Sequence, residues 1–229
     1  MREDALARAL LPTRFLDAES EVVRAFAAAH VGAGSSRDRA VRLYYAVRDA
    51  VRYDLRYLAL SDDTFVASRC LAAGVGFCVP KAVTLAAVAR AAGIPARIGF
   101  ADVRNHLASP RLVFLMGNDV FRWHAYTLLW IDGAWVRATP AFDRGFCERF
   151  AVTPLDFDGR TDSLFQPFAP DGRRHMNYVH ERGSYDDMPL QAFKDDMLAT
   201  SPRLIAGMAA ERALYERRLA AERGGASPA

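Results

Sequence analysis

The hydrophobic and polar positions divide the chain into a helical first third, a central apolar helix, a strand-rich middle and a looser remainder. A segment from Glu19 to Ala29 is broken by Gly32-Ala33-Gly34, and Ser35 with Asp38 three residues later reads as a capping box opening a second helix. In it Ala40, Tyr44, Val47 and Val51 recur at offsets of four, three and four, so they share one face while Arg39, Arg42 and Arg48 stay in water. Tyr53 to Leu60 is too short and mixed to assign and is expected to be an irregular connector. Pro80 to Ala92 is predicted helical, with Pro80 suited to a first turn and Gly93-Ile94-Pro95 as the stop. Only Lys81, Thr84 and Arg90 interrupt its apolar run, and a helix apolar on every side belongs in the centre of a fold.

Ala96 to Val103 reads as a strand and Asn105 to Asn118 as a loop-rich excursion. Trp123–Trp130 and Ala134–Thr139 flank Asp132-Gly133, a dipeptide that supplies the positive φ angles of a tight hairpin turn. If Ile131 pairs with Ala134, paired residue numbers sum to 265; His124, Tyr126, Leu128 and Trp130 then share a face, and His124 lies opposite Ala141. Beyond Asp143 the chain is rich in Pro, Gly and Asp, and little regular structure is expected until Ser201 caps a helix starting at Pro202 and running to about Arg223. Three regions follow: an N-terminal helical segment at 1–34, a core at 35–150 and a loop-rich extension at 151–229 that ends in a helix. The class is α+β.

Composition narrows the function. Of the 229 residues 52% are hydrophobic and 25% charged, which excludes a disordered chain. The net charge of +3 is not gathered into a block that would follow a phosphate backbone or an anionic bilayer, so neither nucleic acid nor membrane is an expected partner. Met1 to Leu10 carries Arg2, Glu3, Asp4 and Arg8, unlike a secretory signal, and a cytoplasmic location is expected. Cys70, Cys78 and Cys147 form no CxxC pair, so a zinc knuckle or disulfide framework is not expected, and no metal or organic cofactor is called for. His175 and His180 are read as exposed loop histidines, and His106 as a loop residue beside a possible cleft.

Cys78 differs from the other two cysteines in standing just before the central helix, where backbone N–H groups without intrahelical partners and the helix dipole favour a thiolate. The same N–H groups suit an oxyanion. Gly76 to Arg97, with its Phe77-Cys78-Val79-Pro80 start and Arg90-Ala91-Ala92-Gly93-Ile94-Pro95-Ala96-Arg97 end, is followed by Trp123-His124-Ala125-Tyr126 and by Asp132 to Pro140. Over roughly residues 35 to 143 this resembles the transglutaminase-like superfamily of papain-type thiol enzymes. The resemblance implies a papain/transglutaminase-like core, with Cys78 as nucleophile, His124 as base and an acidic residue to orient the histidine.

The family's acidic residue before proline would fall at position 139, which here is Thr139-Pro140, and its glutamate four residues after the histidine is replaced by Leu128. With His124 opposite Ala141, the diagonal neighbours are Thr139 and Asp143, about 7 to 8 Å away between backbones. Asp143 is favoured because a carboxylate stabilises an imidazolium by charge, whereas Thr139 only accepts a hydrogen bond. The expected activity is thiol-dependent acyl transfer, hydrolysing or transamidating a peptide, protein or small amide through a Cys78 thioester. Arylamine acetyltransferase-like chemistry and a non-catalytic binding scaffold are the alternatives.

Overall fold

Capping chemistry sets the first helices of the computed structural model, which describes residues 2–106, 108–165 and 176–224. Helix α1 (Arg2–Arg8) precedes α2 (Glu21–Val31), where Ser20 accepts the Val23 N–H. Helix α3 (Ser36–Ala50) carries the predicted capping box, Asp38 N–H to Ser35 Oγ at 3.2 Å and Ser35 N–H to Asp38 Oδ2 at 3.0 Å, and it buries Ala40, Tyr44 and Val47. The connector after it holds more order than expected. Strand β1 (Arg52–Tyr53) pairs in parallel with β2 (Val75–Gly76), and α4 (Ala67–Ala73) lies between them. Helix α4 starts at an uncapped Val66 and stops at Gly74 in the left-handed region, so it has no polar start signal to read.

Helix α5 (Cys78–Ala91) begins two residues before the predicted Pro80, so Cys78 is its first residue, and every residue from Val79 to Arg90 is buried. Its polar interruptions bond to backbone carbonyls. Thr84 Oγ1 donates to Pro80 O at 2.7 Å, Lys81 Nζ donates to the carbonyls of Arg48 and Val51 at the end of α3, and Arg90 donates to those of Leu11, Ala96 and Asp186. These bonds satisfy both the buried donors and carbonyls that would otherwise lack partners.

The remaining elements are β3 (Ala96–Asn105), α6 (Pro110–Met116), β4 (Val120–Ile131), β5 (Ala134–Ala138), α7 (Arg144–Phe150), β6 (Met176–Tyr185), α8 (Leu190–Thr200) and α9 (Pro202–Gly224). The strands form an antiparallel sheet in the order β5-β4-β3-β6. The β4–β5 hairpin has the predicted register, Ile131 opposite Ala134 and Thr127 opposite Ala138, closed by Asp132 and Gly133 at φ 49° and 89°. The ladder ends there, because Pro140 has no N–H to donate and Thr139 N–H turns instead to Ser163 O at 3.1 Å. Ala141 is therefore not paired opposite His124.

Two expectations of loop are corrected. The 105–118 excursion contains α6, whose Ser109 cap, Pro110 first residue and Gly117 stop are ordinary helix signals on a short segment. The region after Asp143 contains α7, β6 and α8; Arg182-Gly183-Ser184, read as a turn, lies within β6, where Gly183 at φ 94° accompanies a register shift against β3. One apolar cluster joins α2, α3, α5, the sheet and α8, with Phe65, Phe100, Trp123 and Phe193 in edge-to-face contact. Among the described residues no helix is long and apolar enough to cross a membrane.

Candidate active site

Cys78 is partly exposed at the head of α5, whereas Cys70 and Cys147 are buried thiols. Three backbone N–H groups act on its sulfur: that of Ala125 on β4, that of Val79, and its own. Each favours the thiolate, in the direction expected of a helix start. Burial outweighs them and pushes the thiol up to about 11. The expected preference for thiolate is thus correct in the sign of the local N–H contribution and reversed in the balance.

Ala125 lies on a stretch of β4 that β5 has already left, since the β4–β5 ladder stops at Thr127. His124 is the next residue along that strand. Its backbone is set by an irregularity: β4 and β3 change register between Ala101 and Val103, and Trp123 sits at φ 56°, a left-handed conformation rare for a bulky residue. Asp102 stabilises that bend by accepting the Trp123 N–H at 3.1 Å. Arg182 grips the same carboxylate at 2.5 and 3.0 Å, and Asp196 accepts the indole N–H at 2.8 Å. Asp102, Arg182 and Asp196 have no signature in the sequence, because their partnership depends on β6 and α8 joining the site.

The His124 ring is buried against Phe165 and Tyr178, with centroids 4.9 and 6.2 Å away. Burial alone pulls its pKa down to about 3, so the imidazole is neutral across the physiological range. Its Nε2 is buried without a hydrogen-bond partner, and so are the hydroxyls of Thr139 and Tyr178. Burial raises the Tyr178 phenol to about 12.

Asp143, expected to orient His124, makes no hydrogen bond to it among the described residues. Asp143 is the N-cap of α7: its Oδ1 accepts the Phe146 N–H at 3.0 Å, and its Oδ2 accepts the Tyr53 N–H at 2.6 Å. Both oxygens are committed to backbone, and the chain reaches Asp143 only after leaving the β4 ladder. The Tyr53 that it holds is close enough to Cys78 for the sulfur's charge to oppose ionisation of the phenol, which burial already raises well above its ordinary value.

Cys78, His124, Tyr53 and Asp143 line one cleft of about 1970 Å³, which His106 also borders with its Nε2 2.9 Å from Asn177 Oδ1. His180 is exposed on β6; His175 lies outside the described residues.

A partly exposed thiol at the head of an enclosed helix and a buried imidazole on an antiparallel strand line one cleft. The chain belongs to the transglutaminase-like superfamily, whose family model matches residues 24–140, from within α2 to Pro140. Asp143 falls outside that match. A solved structure from Cytophaga hutchinsonii, described as a "putative cysteine protease", is similar at 16% identity and TM-score 0.48, over 80% of this chain and 47% of its own. The present chain thus spans about half the length of that protein. No curated protein matches the chain.

Proposed function

We propose that the chain is a thiol-dependent acyl-transfer enzyme. Cys78 attacks an amide or ester carbonyl as His124 takes the thiol proton, forming a sulfur–carbon bond. The proton then passes to the departing amine or alcohol as the thioester forms. Water is the default acceptor of that thioester, giving hydrolysis; an amine gives transamidation. The observation that carries this reading is that Cys78, at the head of α5, and His124, on β4, line one cleft.

Because burial holds thiol and imidazole both neutral at rest, proton transfer accompanies attack and does not precede it. The backbone N–H groups then serve charge that develops during the reaction. Thr139 stands where the resemblance expects the acid, and neither its hydroxyl nor that of Tyr178 is hydrogen-bonded to His124 Nε2.

The test is the pH dependence of Cys78 alkylation by iodoacetamide, followed by intact mass. The enzyme reading expects reaction near pH 7 faster than a thiol of pKa about 11 allows, with the excess lost in His124→Ala. A second reading, the non-catalytic scaffold, is favoured by the same burial of both groups; it expects a rate that follows thiol titration alone and is indifferent to His124.

A further inference from the structure

The cleft wall beside Cys78 is built of aromatic rings placed in sequence from the imidazole to solvent. His124 meets Phe165 at 4.9 Å between centroids, Phe165 meets Phe142 at 5.0 Å, Phe142 stacks on Phe146 at 4.5 Å and 16°, and Phe146 meets Phe150 at 4.5 Å. Tyr53 stands edge-on to Phe142 and Phe146 at 4.8 and 5.0 Å. All of these residues line the same cleft as Cys78. Phe146 and Phe150 are four apart on one side of α7, Phe142 directly precedes the Asp143 cap, and that cap fixes the helix to the Tyr53 backbone.

From this continuity we infer that the wall is a subsite for an uncharged aromatic group on the substrate, held next to the carbonyl that Cys78 attacks; the inference rests on the thiol–imidazole reading above. Packing of α7 onto the core accounts for the inner rings and leaves Phe150 unexplained. It is 54% exposed, yet meets the Phe146 ring at a 36° tilt inside the cleft. Asp54 is held by Arg52 and Arg56 and Asp143 by two backbone N–H groups, whereas Arg149, over the Phe150 ring at 5.3 Å, has no acidic partner among the described residues. A ring entering here continues the stacked and edge-on contacts.

The test uses chloromethyl ketone probes directed at Cys78 that differ only in the side chain beside the carbonyl: benzyl, hydrogen or carboxymethyl. The benzyl probe is expected to modify Cys78 roughly tenfold or more faster than the hydrogen probe, the discrimination an apolar pocket typically gives, and faster than the carboxymethyl probe. Phe150→Ser, at an exposed position, and Phe146→Leu are each expected to reduce the benzyl-to-hydrogen ratio severalfold. Equal rates for the benzyl and hydrogen probes on a reactive Cys78 overturn the subsite alone. Failure of every probe to modify Cys78, when the same probes label the unfolded chain, overturns the catalytic reading and this one with it. A change of oligomeric state in Phe150→Ser at matched concentration assigns the exposed ring to an interface between copies and likewise overturns the subsite.

Discussion

His124 carries a pH signature that belongs to the single residue. In the unfolded chain its imidazole takes a proton near 6.5, while burial in the folded chain delays protonation to about 3. Between those values the unfolded state binds more protons, so stability is full above about pH 6.5 and falls as the pH drops towards 3. At about 1.36 kcal/mol per pH unit the span corresponds to roughly 4 to 5 kcal/mol for a side chain as enclosed as this one. Chemical denaturation of wild type and His124→Gln at a series of pH values isolates the contribution, because carboxylates that titrate in the same range are common to both. The difference between the two proteins is expected to shrink steadily on acidification; a difference constant from pH 7 to 4 would mean that the imidazole is not held neutral.

Helix α7 shows how a residue chosen for one role serves another at the scale of an element. Asp143 caps α7 and holds the Tyr53 N–H, linking the ring-bearing helix to β1. Replacement by Ala removes a cap worth about 0.5 to 2 kcal/mol and leaves a second N–H without its acceptor at about 1 to 3 kcal/mol, so Asp143→Ala is expected to lose roughly 2 to 4 kcal/mol. Asn, which keeps one acceptor oxygen, is expected to lose less. The acid-side difference attributable to His124 is expected to be unchanged in Asp143→Asn, since no hydrogen bond joins the two residues. Its disappearance in denaturation curves would return Asp143 to the imidazole.

What the sequence made legible divides along the same line. The capping box at Ser35, the enclosed helix from Cys78, the Asp132-Gly133 hairpin and its register are local signals, and local signals were sufficient for them. Cys78 and His124 lie on those elements. The group behind His124 depends on where β5 leaves its neighbour, and a register counted forward through Pro140 passes a point where the chain bonds to Ser163 instead. Strand β6 contributes Tyr178 and Arg182 from a stretch whose glycine and serine resemble a turn, and only pairing with β3 makes it a strand.

At the scale of the whole molecule, the stretch from 151 onward completes the sheet and the core. Strand β6 covers the edge of β3, and Met188, Leu190, Phe193, Met197, Leu204 and Met208 enter the same apolar cluster as α5. Arg90 ties the parts together: its buried guanidinium donates to Leu11 O before α2, to Ala96 O at the start of β3 and to Asp186 O after β6. Burial lowers its pKa to about 10, and the charge is retained at neutral pH while three segments of backbone compete for its donors. Arg90→Met leaves three carbonyls without that donor and is expected to lose roughly 3 to 5 kcal/mol. Arg90→Lys is expected to recover little of it, because an ammonium does not reproduce the planar fork. Removal of residues 151–229 exposes the β3 edge and the α8-facing side of the core together, so residues 1–150 alone are expected to lose cooperative unfolding and near-ultraviolet circular dichroism while keeping helical signal. A sharp thermal transition in that fragment would separate the extension from the fold, and Asp102 and Trp123 would then have to hold the His124 bend without Arg182 and Asp196.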